Sequence, residues 1–225
     1  MSGSWMLESV ERDGVALAAV VVDAPVRSCP GWTGGDLLAH VCGYAMFLPE
    51  LFAGAVALSG PVPAPGPERA VAEWPARLDA LLELLTTTPA ATPVPNWSVQ
   101  PDTAEFWIRR TVHEFAVHRW DGDTTRTAEP EPIPAGVAAD GIAEYFEAFA
   151  ATGIAAGRVP RAVVTMVLEL TDTGDRLTWP LPNPGPETVV RGPASDLLLA
   201  LWHRRSLLDH HVSGERTVLE QWPRI

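Results

Sequence analysis

Apolar positions recur at helical spacing through the first half of the chain and give way to shorter, strand-like runs in the second. Leu7, Val10, Val15, Leu17 and Val20 predict a first helix over about Met6–Val22, weakened at Gly14. After a turn at Ser28-Cys29-Pro30-Gly31, Thr33 as N-cap with Asp36 three residues on predicts a second helix running to about Ala57. A proline-rich loop, Pro61–Pro67, precedes a third helix over about Glu68–Thr87, with Leu78, Leu81, Leu82 and Leu85 on its apolar stripe. A second proline-rich connection, Thr88–Pro101, leads to a fourth helix over about Thr103–Asp121. Four such helices predict a bundle, whose core is a natural place for a metal held by facing helices.

The polar, proline-rich stretch Asp123–Gly136 reads as an interdomain linker. Beyond it Ala138–Ala150 predicts a helix, and Arg161–Leu170, with Val163, Val164, Val167 and Leu168, predicts a strand. Leu177–Leu181 and Thr188–Arg191 predict two more strands, and Pro193 opens a last helix from Ala194 to about Arg205. The expected fold is therefore an α+β two-domain chain, a four-helix bundle over residues 1–125 followed by a small α+β domain over 135–225.

Composition narrows the partners. All 16 basic residues are arginine, the net charge is −12, and no basic cluster is present to neutralise phosphates, which argues against nucleic acid. No apolar run reaches membrane-spanning length, and the start of the sequence lacks the pattern of a secretory signal, so a cytoplasmic protein with no membrane partner is expected. Two cysteines, Cys29 and Cys42, do not make a disulfide scaffold and match no zinc-ligand spacing. Both are expected to serve as small apolar residues in the reduced state.

The candidate chemistry lies in Arg109–Asp121. Glu114 and His118 are four apart on one helix face, beside Trp107, Thr111 and Phe115, so a carboxylate and an imidazole point toward apolar surroundings. A divalent metal would compensate their burial, and His40 on the second helix would complete a facial set with open positions for water or substrate. The alternative is an exposed i,i+4 pair and a hydrogen-bonded core histidine with no metal. His113 is rotated about 100° from Glu114 and belongs to the surface or to an interhelix contact. His210 and His211 suit a solvated loop, and His203 a helix-end cation. The chain carries no glycine-rich phosphate loop, nucleophile elbow or His-Glu-x-x-His motif.

Three segments in order, Ser28-Cys29-Pro30-Gly31-Trp32-Thr33, Asp36-Leu37-Leu38-Ala39-His40 and His113–Asp121, resemble the mycothiol-dependent maleylpyruvate isomerase family of actinobacteria. Gly192–Trp202 is similar to that family's C-terminal domain. The resemblance implies a DinB-like metal-binding four-helix bundle followed by a sterol-carrier-like domain. It implies His40, Glu114 and His118 as ligands of a divalent metal, most often zinc, mycothiol as thiol cofactor, and an arginine active toward substrate at Arg204, with Arg205 as the alternative. The implied activity is isomerisation or S-transfer on a small electrophilic unsaturated substrate. A metal-binding regulatory or interaction protein with a structural or vestigial site is the alternative. Substrate, thiol-binding residues and oligomeric state are left open by the sequence.

Overall fold

The computed structural model describes residues 4–58, 64–158, 165–179 and 186–220. The chain divides into two compact units, Met1–Trp97 with Pro101–Glu131, and Ser98–Gln100 with Pro132–Ile225.

The first unit is built from α1 (Ser4–Leu17), α2 (Gly34–Phe52), α3 (Pro67–Thr87) and α4 (Ala104–Asp123). α2 packs on α3 and α1 on α4, and further α1–α3 and α2–α4 contacts close the four into a bundle. Val10, Leu37, Val41, Leu48, Leu81, Val112 and Phe115 fill the middle. The helix starts follow their caps. Thr33 and Asp36 form a full capping box on α2, and the Thr103 hydroxyl accepts from the Phe106 amide at the start of α4. Gly14 is tolerated inside α1 because that backbone is approached closely: Trp74 Nε1 donates to its carbonyl at 2.9 Å, and a Cβ there would stand 2.5 Å from Leu78 Cδ1.

Two helix ends differ from the sequence expectation. α1 stops at Leu17, not Val22. The β-branched run Val20–Val22 gains little as helix, and its backbone is used elsewhere: Val22 O accepts from Gly35 N at 2.9 Å, and Val21 N donates to Thr125 Oγ1 at 3.0 Å. α2 stops at Phe52, short of Ala57, in a Schellman turn. Gly54 there has φ +70°, with Ala55 N on Glu50 O at 2.8 Å and Gly54 N on Leu51 O at 3.0 Å.

The second unit holds α5 (Ala135–Glu144), a π-helical turn (Tyr145–Ala150) and α6 (Ala151–Ala155), then β1 (Thr165–Leu170), β2 (Arg176–Thr178), β3 (Glu187–Gly192), α7 (Ala194–Leu201), β4 (His211–Ser213) and α8 (Thr217–Glu220). The sheet order is β2-β1-β3-β4, with β1 and β3 parallel and both outer pairs antiparallel. α7 packs on α5 and touches β1. Its first free amide, Ala194 N, is satisfied by Asp172 Oδ1 at 3.0 Å, because Pro193 at the N-cap has no side chain that can accept. Residues 98–100 associate with this unit through Val99 N on Thr152 Oγ1 at 3.0 Å and Gln100 Nε2 on Glu147 O at 2.9 Å.

The expected linker Asp123–Gly136 is shorter in fact, since Asp123 closes α4 and Ala135 already opens α5. The expected 161–170 strand is seen over its described part, 165–170, and Val163 and Val164 lie outside the described residues, as do Pro180 and Leu181 of the next. His211 is not in a loop: it pairs with Arg191 as the first residue of β4. α7 ends at Leu201 rather than Arg205, again in a Schellman turn. His203 takes the left-handed position at φ 60°, His203 N bonds Ala200 O at 3.0 Å, and Arg204 N bonds Leu199 O at 2.8 Å.

Candidate metal centre

α2 and α4 pack on one another and bring His40 and the Glu114/His118 pair together. One donor atom from each of the three residues lies within 4.8 Å of the other two. Glu114 Oε1 is 3.0 Å from His40 Nε2 and 3.3 Å from His118 Nε2. The two imidazoles meet edge to face, centroids 4.9 Å apart. Two imidazole nitrogens and one carboxylate oxygen, all of the kind that bind borderline divalent ions, therefore converge on one point.

The surrounding side chains match the requirements of such a set. Arg110, one turn before Glu114, donates to Glu114 Oε2 at 2.7 Å and leaves Oε1 facing the histidines. Asp121, fully buried, bonds His118 Nδ1 through Oδ2 at 2.9 Å, which directs Nε2 toward the cluster. A carboxylate on the far nitrogen of a ligating histidine is the usual outer partner of a bound metal. His40 remains accessible, its side chain 43% exposed, while His118 and Glu114 are largely enclosed.

Charge is balanced along α4. Burial alone disfavours the charged form of His118, but the Glu114 carboxylate, the hydrogen bond to Asp121 and the one to Glu114 outweigh it and raise its pKa to about 9. Burial likewise pushes Glu114 up, and His118, His40 and Arg110 together outweigh it, holding the carboxyl well below its ordinary range. Without an ion, the site is an alternating row of Arg110, Glu114, protonated His118 and Asp121.

The other expected residues fall elsewhere. His113 is buried rather than on the surface and is not part of the cluster. Cys42 is buried on α2, Cys29 is partly exposed, and no disulfide joins them. Arg204 belongs to the second unit, on the turn after α7, where Nη1 donates to Trp202 O at 2.9 Å. Arg205 is exposed and pairs with Asp196 at 3.2 Å. Arg110 and Asp121 were not singled out by sequence, although their i−4 and i+3 spacing to Glu114 and His118 was a legible signal.

A bundle that presents two histidines and a glutamate from facing helices, followed by a small α+β unit, defines a two-domain class of candidate metalloproteins. Residues 7–121 match the family domain described as "Mycothiol maleylpyruvate isomerase N-terminal domain", and residues 136–221 match the "MDMPI C-terminal domain". The chain belongs to the mycothiol maleylpyruvate isomerase family. It is similar in fold to a crystal structure of the mycothiol-dependent maleylpyruvate isomerase, with TM-score 0.69 and 16% identity over 96% of this chain and 95% of that one. A histidine-to-alanine mutant of a mycothiol-dependent maleylpyruvate isomerase gives TM-score 0.67 at the same identity and coverage, 16%, 96% and 95%. A search of curated proteins finds no match. Among the described residues no helix is long and apolar enough to cross a membrane.

Proposed function

We propose that this protein is a metal-dependent isomerase or S-transferase that uses a low-molecular-weight thiol, mycothiol by its family, on a small electrophilic unsaturated acid of the maleylpyruvate type. The observation that carries this reading is the convergence of His40, Glu114 and His118 within 4.8 Å. Three protein donors leave coordination positions for exogenous ligands, the pattern of catalytic rather than closed structural zinc sites.

His40, Glu114 and His118 would hold the divalent ion, zinc being the expected one. When bound, the ion and the thiol cofactor together supply a thiolate nucleophile at neutral pH, able to add reversibly to a conjugated double bond. The remaining work falls to the chain's own side chains. Asp121 keeps the His118 proton on Nδ1 and so frees Nε2. Arg110 holds the second oxygen of Glu114 and balances its charge. His40, the exposed member, leaves one side of the cluster open to solvent and hence to small molecules. Arg204 is assigned to the substrate carboxylate, which a guanidinium can grip with two parallel hydrogen bonds. The cytoplasm is the compartment this chemistry fits.

Metal content by elemental mass spectrometry tests the reading, with wild type beside a His40→Ala/His118→Ala double variant and a cis-to-trans isomerisation assay run with and without added thiol. The expected result is near-stoichiometric metal and thiol-dependent turnover in the wild type, both lost in the variant. A wild type that takes up no metal even when offered zinc would sink the proposal.

A further inference from the structure

The Ser28–Thr33 motif contributes none of the three donors, yet it is built against two of them. The chain between α1 and α2 folds into a closed loop, with Pro25 and Thr33 forming an antiparallel bridge. Within it Val26 N donates to Trp32 O at 2.9 Å, Cys29 N to Val26 O at 3.0 Å and Trp32 N to Cys29 O at 3.0 Å. Gly31, at φ +87°, supplies the left-handed residue that the turn requires. The loop is anchored to both ligand-bearing helices. Thr33 caps α2, and Arg27 N donates to Thr124 Oγ1 at 3.2 Å, just beyond α4. The Arg27 guanidinium also reaches Thr127 O.

Two side chains of this loop approach the histidines. Ser28 Oγ donates to Asp121 Oδ1 at 2.5 Å, and the other oxygen of that buried carboxylate bonds His118 Nδ1 at 2.9 Å. The Trp32 indole lies with its centroid 5.2 Å from the His40 ring. A carboxylate with a hydrogen bond to a single oxygen can pivot about Cβ–Cγ. A second bond, to the opposite oxygen, fixes its plane and with it the direction in which the imidazole is held. An indole against a half-exposed imidazole likewise narrows the rotamers open to it.

Given that the three donors hold a metal as proposed above, we propose that loop 25–33 positions both histidines for it. Ser28 acts through Asp121 on His118, and Trp32 acts directly on His40. Both are positioning residues, and neither donates to the ion. The loop thereby couples the start of α2 to the end of α4, so that ligands from two helices are held in register by one short segment.

Cobalt(II) is a suitable probe, because its visible absorption bands report coordination geometry and its titration gives affinity. The metal-free full-length chain is titrated as wild type, Ser28→Ala, Ser28→Thr, Asp121→Asn and the Ser28→Ala/Asp121→Asn double variant, and each metal-free protein is also melted. Ser28→Ala is expected to weaken cobalt binding on the order of tenfold and to alter the bands. It should also lower the melting midpoint of the metal-free protein by a few degrees, as losing one bond to a buried carboxylate does, without unfolding it at the titration temperature. Ser28→Thr restores binding, since its hydroxyl can make the same bond. In the Asp121→Asn background, Ser28→Ala should cost less than about twofold, because the path it uses is already broken. Wild-type affinity and spectrum in Ser28→Ala would overturn the proposal, as would an undiminished loss in the Asp121→Asn background. A wild type that binds no cobalt would remove the metal reading itself and this inference with it.

Discussion

Raising the pH from 7 to 9 before adding zinc probes the electrostatics of the cluster directly. In the metal-free protein His118 is held protonated, with a pKa of about 9, between Glu114 and Asp121. A metal takes the neutral imidazole, so binding must displace that proton. At pH 7 only about one molecule in a hundred has His118 neutral, a cost of roughly 2.7 kcal/mol against binding. At pH 9 about half are neutral, so this one group tightens zinc binding by roughly fiftyfold between the two pH values. A histidine at the ordinary value of 6.5 would give a change of only about 1.3-fold over the same range. Competition against a chromophoric chelator of known pH dependence measures the affinity. Calorimetry in two buffers of different ionisation enthalpy should show about one proton released per zinc at pH 7. A change under twofold from pH 7 to 9, or no proton release, would refute the charge alternation argued for α4.

Three further outcomes are expected. Arg110→Met removes one of the two cations at the Glu114 carboxylate, protonated His118 being the other, and should destabilise the metal-free protein by about 2 kcal/mol in chemical denaturation, with a smaller loss once zinc is present. Gly31→Ala places a side chain at φ +87° and should cost about 1 kcal/mol in the same measurement, although open space surrounds the new Cβ; an unchanged midpoint would show that the loop adjusts. Arg204→Ala should raise KM for an acidic substrate at least tenfold, whereas Arg205→Ala, whose guanidinium already pairs with Asp196, should change it by less than threefold, order-of-magnitude figures for losing or keeping a charged carboxylate contact.

The helix starts were legible because they depend on local chemistry: Thr33 with Asp36 caps α2 in the way the sequence announces, and Thr103, expected only as the approximate start of α4, is its N-cap. The ends were not. α1 and α2 stop early because Val22 O serves Gly35 N and because Gly54 takes a left-handed turn, and only the first of these is a long-range contact. Gly54 was a missed local signal. β4 could not be foreseen, since three residues of mixed polarity become a strand only by pairing with β3. At the site, the i,i+4 spacing pointed to Glu114 and His118, and apolar neighbours indicated which way they face. What the sequence could not show is that Ser28, 93 positions before Asp121, reaches its carboxylate. His113 illustrates the limit of a helical wheel, which separates it correctly from Glu114 but does not reveal that the far side of α4 is buried too.

The same proton that opposes the metal should also stabilise the empty protein, which gives the charge argument a second and independent consequence. The folded-state pKa of His118 lies above its unfolded value, so its contribution is complete below about pH 6.5 and is lost as the pH rises through 9. A displacement from 6.5 to about 9 corresponds to roughly 3 kcal/mol. Metal-free protein should therefore lose stability across that window, while zinc-loaded protein, in which His118 carries no such proton, should not. Counted over Arg110, Glu114, His118 and Asp121, the row is electrically neutral with His118 protonated and carries one surplus positive charge once a divalent ion replaces the proton. That surplus favours an anionic ligand over a neutral one, which suits a thiolate and an acidic substrate. Denaturant midpoints of the two forms at pH 6, 7.5 and 9 decide the matter: parallel curves would mean that His118 is not the charged partner of Glu114 and Asp121, and the electrostatic preference for a thiolate would lose its basis.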